Sequence, residues 1–460
     1  MTKTKTIKTL LFLLALPFLI IGSKKIIDLR KKAAGTHANI LIDTQKVINP
    51  LPASLWQNLA QGGEEAKDMV APVLAQTKVL QPKYIRIDHL FDYYQVYRGP
   101  EDFDFSQLDQ VIETILATGA KPMLSLSYTP AMMTKNGQNA TEPQDWNQWY
   151  QLVKTTAHRY SVQKNISNIY YEVWNEPDLF GSWHYRKNPN YLTLYTQSAR
   201  AVTAGATGSN YKIGGPSTTA LYKSWIVALL DICQKQNLRL DFLSFHRYST
   251  KISQFQKDAQ LLDQILVDYP RYKNVEKIIT ETGPYSDPHS SYDNKFSAIH
   301  LLSLTSSLSN QINKLFTFEL VDGPIPRSTD STGWGLITHA KNGSRPKPRY
   351  QAMQFLNRLT GPQILTSGNG TWVSSIATKN QKITQVMLVN YDPKDQHYET
   401  VPVNFQHLTP GAYRLETSRF LGPTISKELR ILYTHHTEFI TLTPNSAVFL
   451  RLIPLSLSSP

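Results

Sequence analysis

From about residue 53 to 359 the chain alternates short apolar or β-branched runs with longer stretches in which apolar residues recur every three to four positions. The first pattern suits strands buried on both faces, and the second suits helices that cover a sheet with one apolar stripe. Eight pairs can be counted, with strands expected near 53–57, 84–88, 121–127, 168–173, 212–216, 241–246, 277–281 and 314–318. Helical stretches follow them, as at 144–160, 191–207, 220–236 and 294–308. Eight alternations predict an α/β fold that closes into a (β/α)8 TIM barrel rather than an open doubly wound sheet. Beyond Leu359 the runs shorten to strands at 372–378, 383–390, 437–443 and 447–452, separated by turn-formers such as Gly361-Pro362 and Gly368-Asn369-Gly370. That half predicts an antiparallel β-sandwich over 361–460, to which the early run 39–43 can add a strand. The barrel is expected to occupy 36–360.

Composition and charge refine this picture. Hydrophobic residues make up 41% of the 460, and 24 Tyr, 17 Phe and 8 Trp supply aromatic surface suited to sugars as well as to cores. Cys233 is the single cysteine, which excludes an intrachain disulfide and a cysteine-based zinc site. The formal charge of +13 is concentrated: residues 1–35 hold eight Lys/Arg and one Asp, and the remaining +6 is spread over the other residues. Such a diffuse excess describes a solvated surface and not a nucleic-acid-binding face. Lys3, Lys5 and Lys8 precede the apolar run 10–21, which has the length of a signal-peptide core and is short of a bilayer span. Residues 1–35 therefore read as an export signal or an uncleaved anchor, with membrane association through 7–23 and an extracellular or membrane-anchored location.

Two carboxyl residues stand at the C-terminal ends of expected strands. Glu176 lies in Tyr171-Glu172-Val173-Trp174-Asn175-Glu176-Pro177-Asp178, and Glu281 in Lys277-Ile278-Ile279-Thr280-Glu281-Thr282-Gly283. A single such Glu is more often a helix cap or a surface ion-pair partner. All strand C-termini of a barrel open on one face, however, so both carboxyls would enter the same pocket. Retaining glycoside hydrolysis requires such a pair, about 5 Å apart.

Trp-Asn-Glu-Pro after one strand and Thr-Glu-Thr-Gly after a later one resemble the acid/base and nucleophile signatures of the (β/α)8 glycosidase clan. The likeness narrows to glycoside hydrolase family 39, which includes β-xylosidases and α-L-iduronidases. It is carried by 146–160, 171–178, Trp183, 191–195, Gly214-Gly215-Pro216, Phe245-His246-Arg247-Tyr248, Gly333-Trp334-Gly335 and Lys347-Pro348-Arg349-Tyr350. It implies Glu176 as acid/base, Glu281 as nucleophile, and Asn175 on the hydroxyl next to the anomeric carbon. Tyr248 would hydrogen-bond Glu281, and Arg86 would keep that carboxylate ionised. His246 reads equally as an orienting or sugar-contacting residue and as a structural hydrogen-bond partner. Trp183 and Trp334 read as stacking platforms or core.

Three positions depart from the family pattern: Asp88 stands where a sugar-binding His is expected, Ser125 where strand three carries a Glu, and Phe318-Glu319 where an aromatic platform, commonly Trp, is usual. The implied activity is hydrolysis of an oligo- or polysaccharide without metal or organic cofactor. Transglycosylation through the same two carboxyls and a catalytically silent glycan-binding barrel are the alternatives.

Overall fold

The structure is a computed structural model that describes residues 35–324 and 333–455; the expected targeting segment, including the run 7–23, lies outside them. Strand β1 (Ile40–Asn49) joins the second sheet, as expected of the early run 39–43, and so stays out of the barrel although it follows the expected barrel boundary at residue 36. The barrel consists of β2 (Asn58–Gln61), β3 (Tyr84–Ile87), β4 (Lys121–Leu126), β5 (Ile169–Val173), β6 (Tyr211–Thr218), β7 (Phe242–Tyr248), β8 (Glu276–Gly283) and β9 (Lys314–Phe318). They pair in parallel in chain order, and β9 closes onto β2. Each is followed by a helix: α1 (Leu74–Val79), α2 (Ser106–Ala117), α3 (Trp146–His158), α4 (Tyr191–Gly205), α5 (Lys223–Gln236), α6 (Ile252–Val267), α7 (Lys295–Leu308) and α8 (Pro348–Leu356).

Local chemistry starts several of these helices where the pattern changes. Asp145, Asn190 and Asn294 cap α3, α4 and α7 by accepting the N–H groups of Asn147, Leu192 and Phe296. Each cap is worth about 1 kcal/mol. The first strand lies later than its expected position at 53–57. Pro52, with no N–H to give a ladder, opens a 3-10 turn over Pro52–Ser54 instead. The strand proper, Asn-Leu-Ala-Gln, is wholly buried. Its polar ends are satisfied inside: Asn58 Nδ2 donates to the carbonyls of Ser54 and Leu55, and Gln61 Nε2 to that of Val321.

The second unit is one nine-stranded sheet. Its remaining strands are β10 (Gln363–Ser367), β11 (Val373–Asn380), β12 (Ile383–Asn390), β13 (Glu399–Gln406), β14 (Gly411–Arg419), β15 (Thr424–Ile431), β16 (His435–Leu442) and β17 (Ser446–Pro454). The order is β15-β14-β17-β12-β11-β10-β1-β13-β16, antiparallel except where β1 runs parallel to β13. Edge strand β16 connects through residues 443–445 to β17, six positions away. On a flat sheet that gap would be roughly 29 Å at about 4.8 Å per strand, whereas the connection spans at most about 15 Å. The sheet therefore curls over itself, enclosing Ile42, Val386, Val403, Leu415 and Leu450 in a core of its own. It docks on the barrel's helices through Phe355, whose ring lies 5.4 Å from Phe420 and 5.7 Å from Phe449. No helix among the described residues is long and apolar enough to cross a membrane.

Candidate active site

The C-terminal ends of β3 to β9 converge on a pocket of about 900 Å³ that includes Asp88, Asn175, Glu176, Tyr248, Glu281, Phe318 and Trp334 in its walls. At the end of β5 the backbone turns abruptly: Trp174 and Glu176 hold φ of 70° and 46°, left-handed values that cost a non-glycine residue energy. Two neighbours fix this turn. Ser125 Oγ donates to the Trp174 carbonyl at 2.8 Å, and the Glu176 N–H donates to the Ser217 carbonyl at 2.9 Å. Ser125, at the departure on strand three, thus supports the loop that carries Asn175 and Glu176. Gly62 and Gly63 follow β2 because side chains need their space: a Cβ on Gly62 would lie 2.9 Å from the Phe318 ring, and one on Gly63 2.1 Å from His89.

Glu176 and Glu281, 105 positions apart in the chain, come together around His246. One donor atom from each of the three lies within 4.8 Å of the others. His246 is fully buried, with Nδ1 2.8 Å from Glu176 Oε1 and 3.4 Å from Glu281 Oε2, while Nε2 meets Ser217 Oγ at 3.0 Å. Both Glu281 oxygens are held: Arg86 Nη1 donates to Oε1 at 2.9 Å and Tyr248 OH to Oε2 at 2.7 Å. Arg86, itself fully buried, also donates to Glu172 Oε2 at 2.6 Å and to Asn175 Oδ1 at 2.7 Å. The Asn175 amide in turn donates to Tyr128 OH at 2.8 Å.

Burial pushes the Glu281 carboxyl above the usual range. His246 and Arg86 oppose that rise, and Glu176 and Asp88 add to it. The expectation that Arg86 holds this carboxylate ionised is therefore only part of the balance. Burial also opposes charge on His246, but the negative charge of Glu281 and the hydrogen bond to Glu176 outweigh it and hold the imidazole above its ordinary value. The same three side chains have the donor types of a metal site. The Arg86 guanidinium occupies one Glu281 oxygen, however, so a cation there would face a buried positive charge.

Of the other expected residues, Trp334 lines the pocket, its ring 5.9 Å from Phe318 and its Nε1 donating to the Ser286 carbonyl at 3.1 Å. Trp183 does not. It is 1% exposed and packs at 5.2 Å against Trp174 and 6.4 Å against Trp146, so it is a core residue beneath the loop and no sugar platform. Lys347-Pro348-Arg349-Tyr350 also stays off the pocket wall. Arg349 donates to the backbone carbonyls of Phe318 and Trp334 and so ties together the two chain segments that carry these rings.

Glu172, Ser217, Tyr128 and His89 were absent from the sequence-derived site. His89, at φ 55°, is turned into the pocket and stacks on Tyr93 at 4.1 Å. Only Glu172 carried a signal, as a charged residue inside an otherwise apolar strand.

The chain was compared with known proteins. The family model described as Glycosyl hydrolases family 39 matches residues 40–390. A beta-xylosidase of Geobacillus stearothermophilus is 23% identical over 295 residues, 57% of each chain. A beta-xylosidase of Caldicellulosiruptor saccharolyticus is 24% identical over 327 residues, 64% of this chain and 65% of that one. The chain thus spans about three fifths of the length of these relatives. A crystal structure of a monomeric beta-xylosidase from Caulobacter crescentus superposes with a TM-score of 0.75 at 20% identity, covering 91% of this chain and all of that one. That superposition shares the barrel-plus-sheet fold, and the family match extends from β1 through the barrel and into the second sheet as far as Asn390: the chain belongs to glycosyl hydrolase family 39.

Proposed function

We propose that the protein is a retaining glycoside hydrolase, β-xylosidase-like in the broad sense, that cleaves oligo- or polysaccharide by double displacement. The observation that carries this reading is the approach of Glu176 and Glu281 within 4.8 Å across His246, close to the retaining separation of about 5 Å and short of the inverting one. In the first step a Glu281 oxygen attacks the anomeric carbon, the bond to the leaving oxygen breaks, and Glu176 gives that oxygen its proton. In the second, Glu176 takes a proton from water, the water oxygen attacks the anomeric carbon, and Glu281 departs as carboxylate.

Tyr248 and Arg86 hold Glu281 in attacking geometry, and His246 orients Glu176. Asn175 is locked by Arg86 and Tyr128 with one amide N–H left for a sugar hydroxyl. Membership of the family and the likeness to beta-xylosidases support the sugar class. The apolar run 10–21 behind Lys3, Lys5 and Lys8 supports export or anchoring, with extracellular or cell-wall glycan as substrate.

The test is aryl release from β-xylosides, α-L-iduronides, β-glucosides, β-galactosides and α-L-arabinosides by the protein and by Glu281→Ala, with the anomer of the first product read by NMR. Release with retained configuration, lost in the variant, supports the proposal. Inversion of configuration, or release that survives Glu281→Ala, overturns it.

A further inference from the structure

A second group of three potential metal donors belongs to the nine-stranded sheet and lines no part of the pocket. It consists of His37, just ahead of β1, and of His397 and Glu399 where β13 begins; one donor atom from each lies within 4.8 Å of the others. In extended chain, residues two apart share a face, so His397 and Glu399 look the same way while Tyr398 between them is 68% exposed. Strand β1 runs parallel beside β13 with Ile40 opposite Val403, which brings His37 to the same corner.

The carboxyl group of Glu399 is the inner member, with its side chain 2% exposed. The N–H of Ala38, 361 positions away in the chain, donates to its Oε1 at 2.5 Å and fixes it from the inside, as the outer partners of metal-bound carboxylates do. His397 Nε2 stands 2.7 Å from Oε2, and His37 Nδ1 stands 3.5 Å from Oε1 on a side chain that is 78% exposed. These two distances lie on either side of the roughly 3.4 Å that separates ligand atoms around a tetrahedral zinc ion. Two imidazoles and one carboxylate are a donor set that suits such an ion, and the exposed His37 has the freedom to close on it. A proton bridges one imidazole and the carboxylate, whereas a divalent ion serves all three groups. The catalytic trio has Arg86 on its carboxylate, but among the described residues no Lys or Arg pairs with Glu399.

We infer that His37, His397 and Glu399 bind a divalent transition-metal ion, with water in a fourth position, and that the ion clips the entry of β1 to β13. Its role is structural: it fastens the segment that leads into the barrel onto the second sheet. The inference is independent of the glycosidase reading, since the ion takes no part in sugar cleavage.

The test is calorimetric titration of Zn2+ into the metal-stripped full-length protein and into His37→Ala, His397→Ala and Glu281→Gln. The parent should bind one ion per chain with micromolar or tighter affinity. Each histidine variant should bind about 100-fold or more weakly, and Glu281→Gln should bind as the parent does. Zn2+ should also raise the melting temperature of the parent and leave that of His37→Ala unchanged; His37 is mostly in solvent, so its removal spares the fold. A parent that binds no Zn2+, or binding that both histidine variants retain, overturns the inference. So does binding lost in Glu281→Gln, which would place the ion in the catalytic cluster.

Discussion

Arg86 and Glu172 form an ion pair of 2.6 Å in which neither side chain reaches solvent. It lies directly beneath the catalytic pair, because the same guanidinium holds Glu281 and Asn175. Desolvating two charges is expensive, and the pair is tolerable only while both members are present. Glu172→Ala should therefore cost about 3–5 kcal/mol of stability, while also leaving Arg86 free to shift away from Glu281. Denaturant unfolding measures the first effect and kcat the second. A variant as stable as the parent would mean that water or a rearranged neighbour replaces Glu172.

What could be read from the sequence, and what could not, follows from the range of the interactions involved. The barrel was legible because strands buried on both faces leave uninterrupted apolar runs, as in Ile169–Val173, and because Glu176 and Glu281 each end such a run. Strand β2 was misplaced because its end residues, Asn58 and Gln61, are polar and satisfied inside the barrel, so hydropathy points to the neighbouring Leu55-Trp56 instead. Trp183 was uncertain for a related reason: a loop tryptophan gives the same local signal whether it stacks on sugar or on Trp174. Glu172 and Ser217 find their partners 86 and 29 positions away, and no local pattern records such pairings.

Tyr248 has one polar contact with the machinery, the 2.7 Å bond to Glu281 Oε2. A hydrogen bond to a charged group is worth about 1.5–3 kcal/mol, so Tyr248→Phe should lower kcat by roughly 10- to 100-fold. KM should move much less, since the hydroxyl orients the nucleophile in preference to gripping the ground state. Steady-state kinetics on an aryl glycoside separates the two, and a change confined to KM would assign Tyr248 to sugar binding alone.

If Glu176 is the proton donor, its removal matters in proportion to the need for protonation. Glu176→Ala should slow a glycoside with a poor alkyl or sugar leaving group by about 100-fold or more, yet release an activated nitrophenol in the first step at a rate near the parent's. A small anion such as azide, entering the space vacated beside His246, should accelerate the second step. Equal slowing across leaving groups would remove Glu176 from the acid/base role.

The elevated carboxyl of Glu281 makes a prediction about pH and stability together. Burial, the largest influence, favours its protonated form in the folded protein, and Arg86 and His246 only partly offset it. Between the ordinary carboxylate range and this raised folded value, the native state therefore binds more protons than the unfolded chain, and stability falls as pH rises through that window. Glu281→Gln remains neutral and escapes the loss. It should melt at a higher temperature than the parent at pH 7, with the difference shrinking as pH drops below the ordinary carboxylate range, where the parent's group is protonated in both states. Catalysis needs the opposite form, so the acid limb of kcat/KM should lie above the ordinary carboxylate range. Calorimetric scans of both proteins at pH 4 and pH 7 decide the matter. A glutamine variant that is less stable at pH 7 would mean that the guanidinium and imidazole outweigh burial, and that the nucleophile is ionised without a cost to the fold.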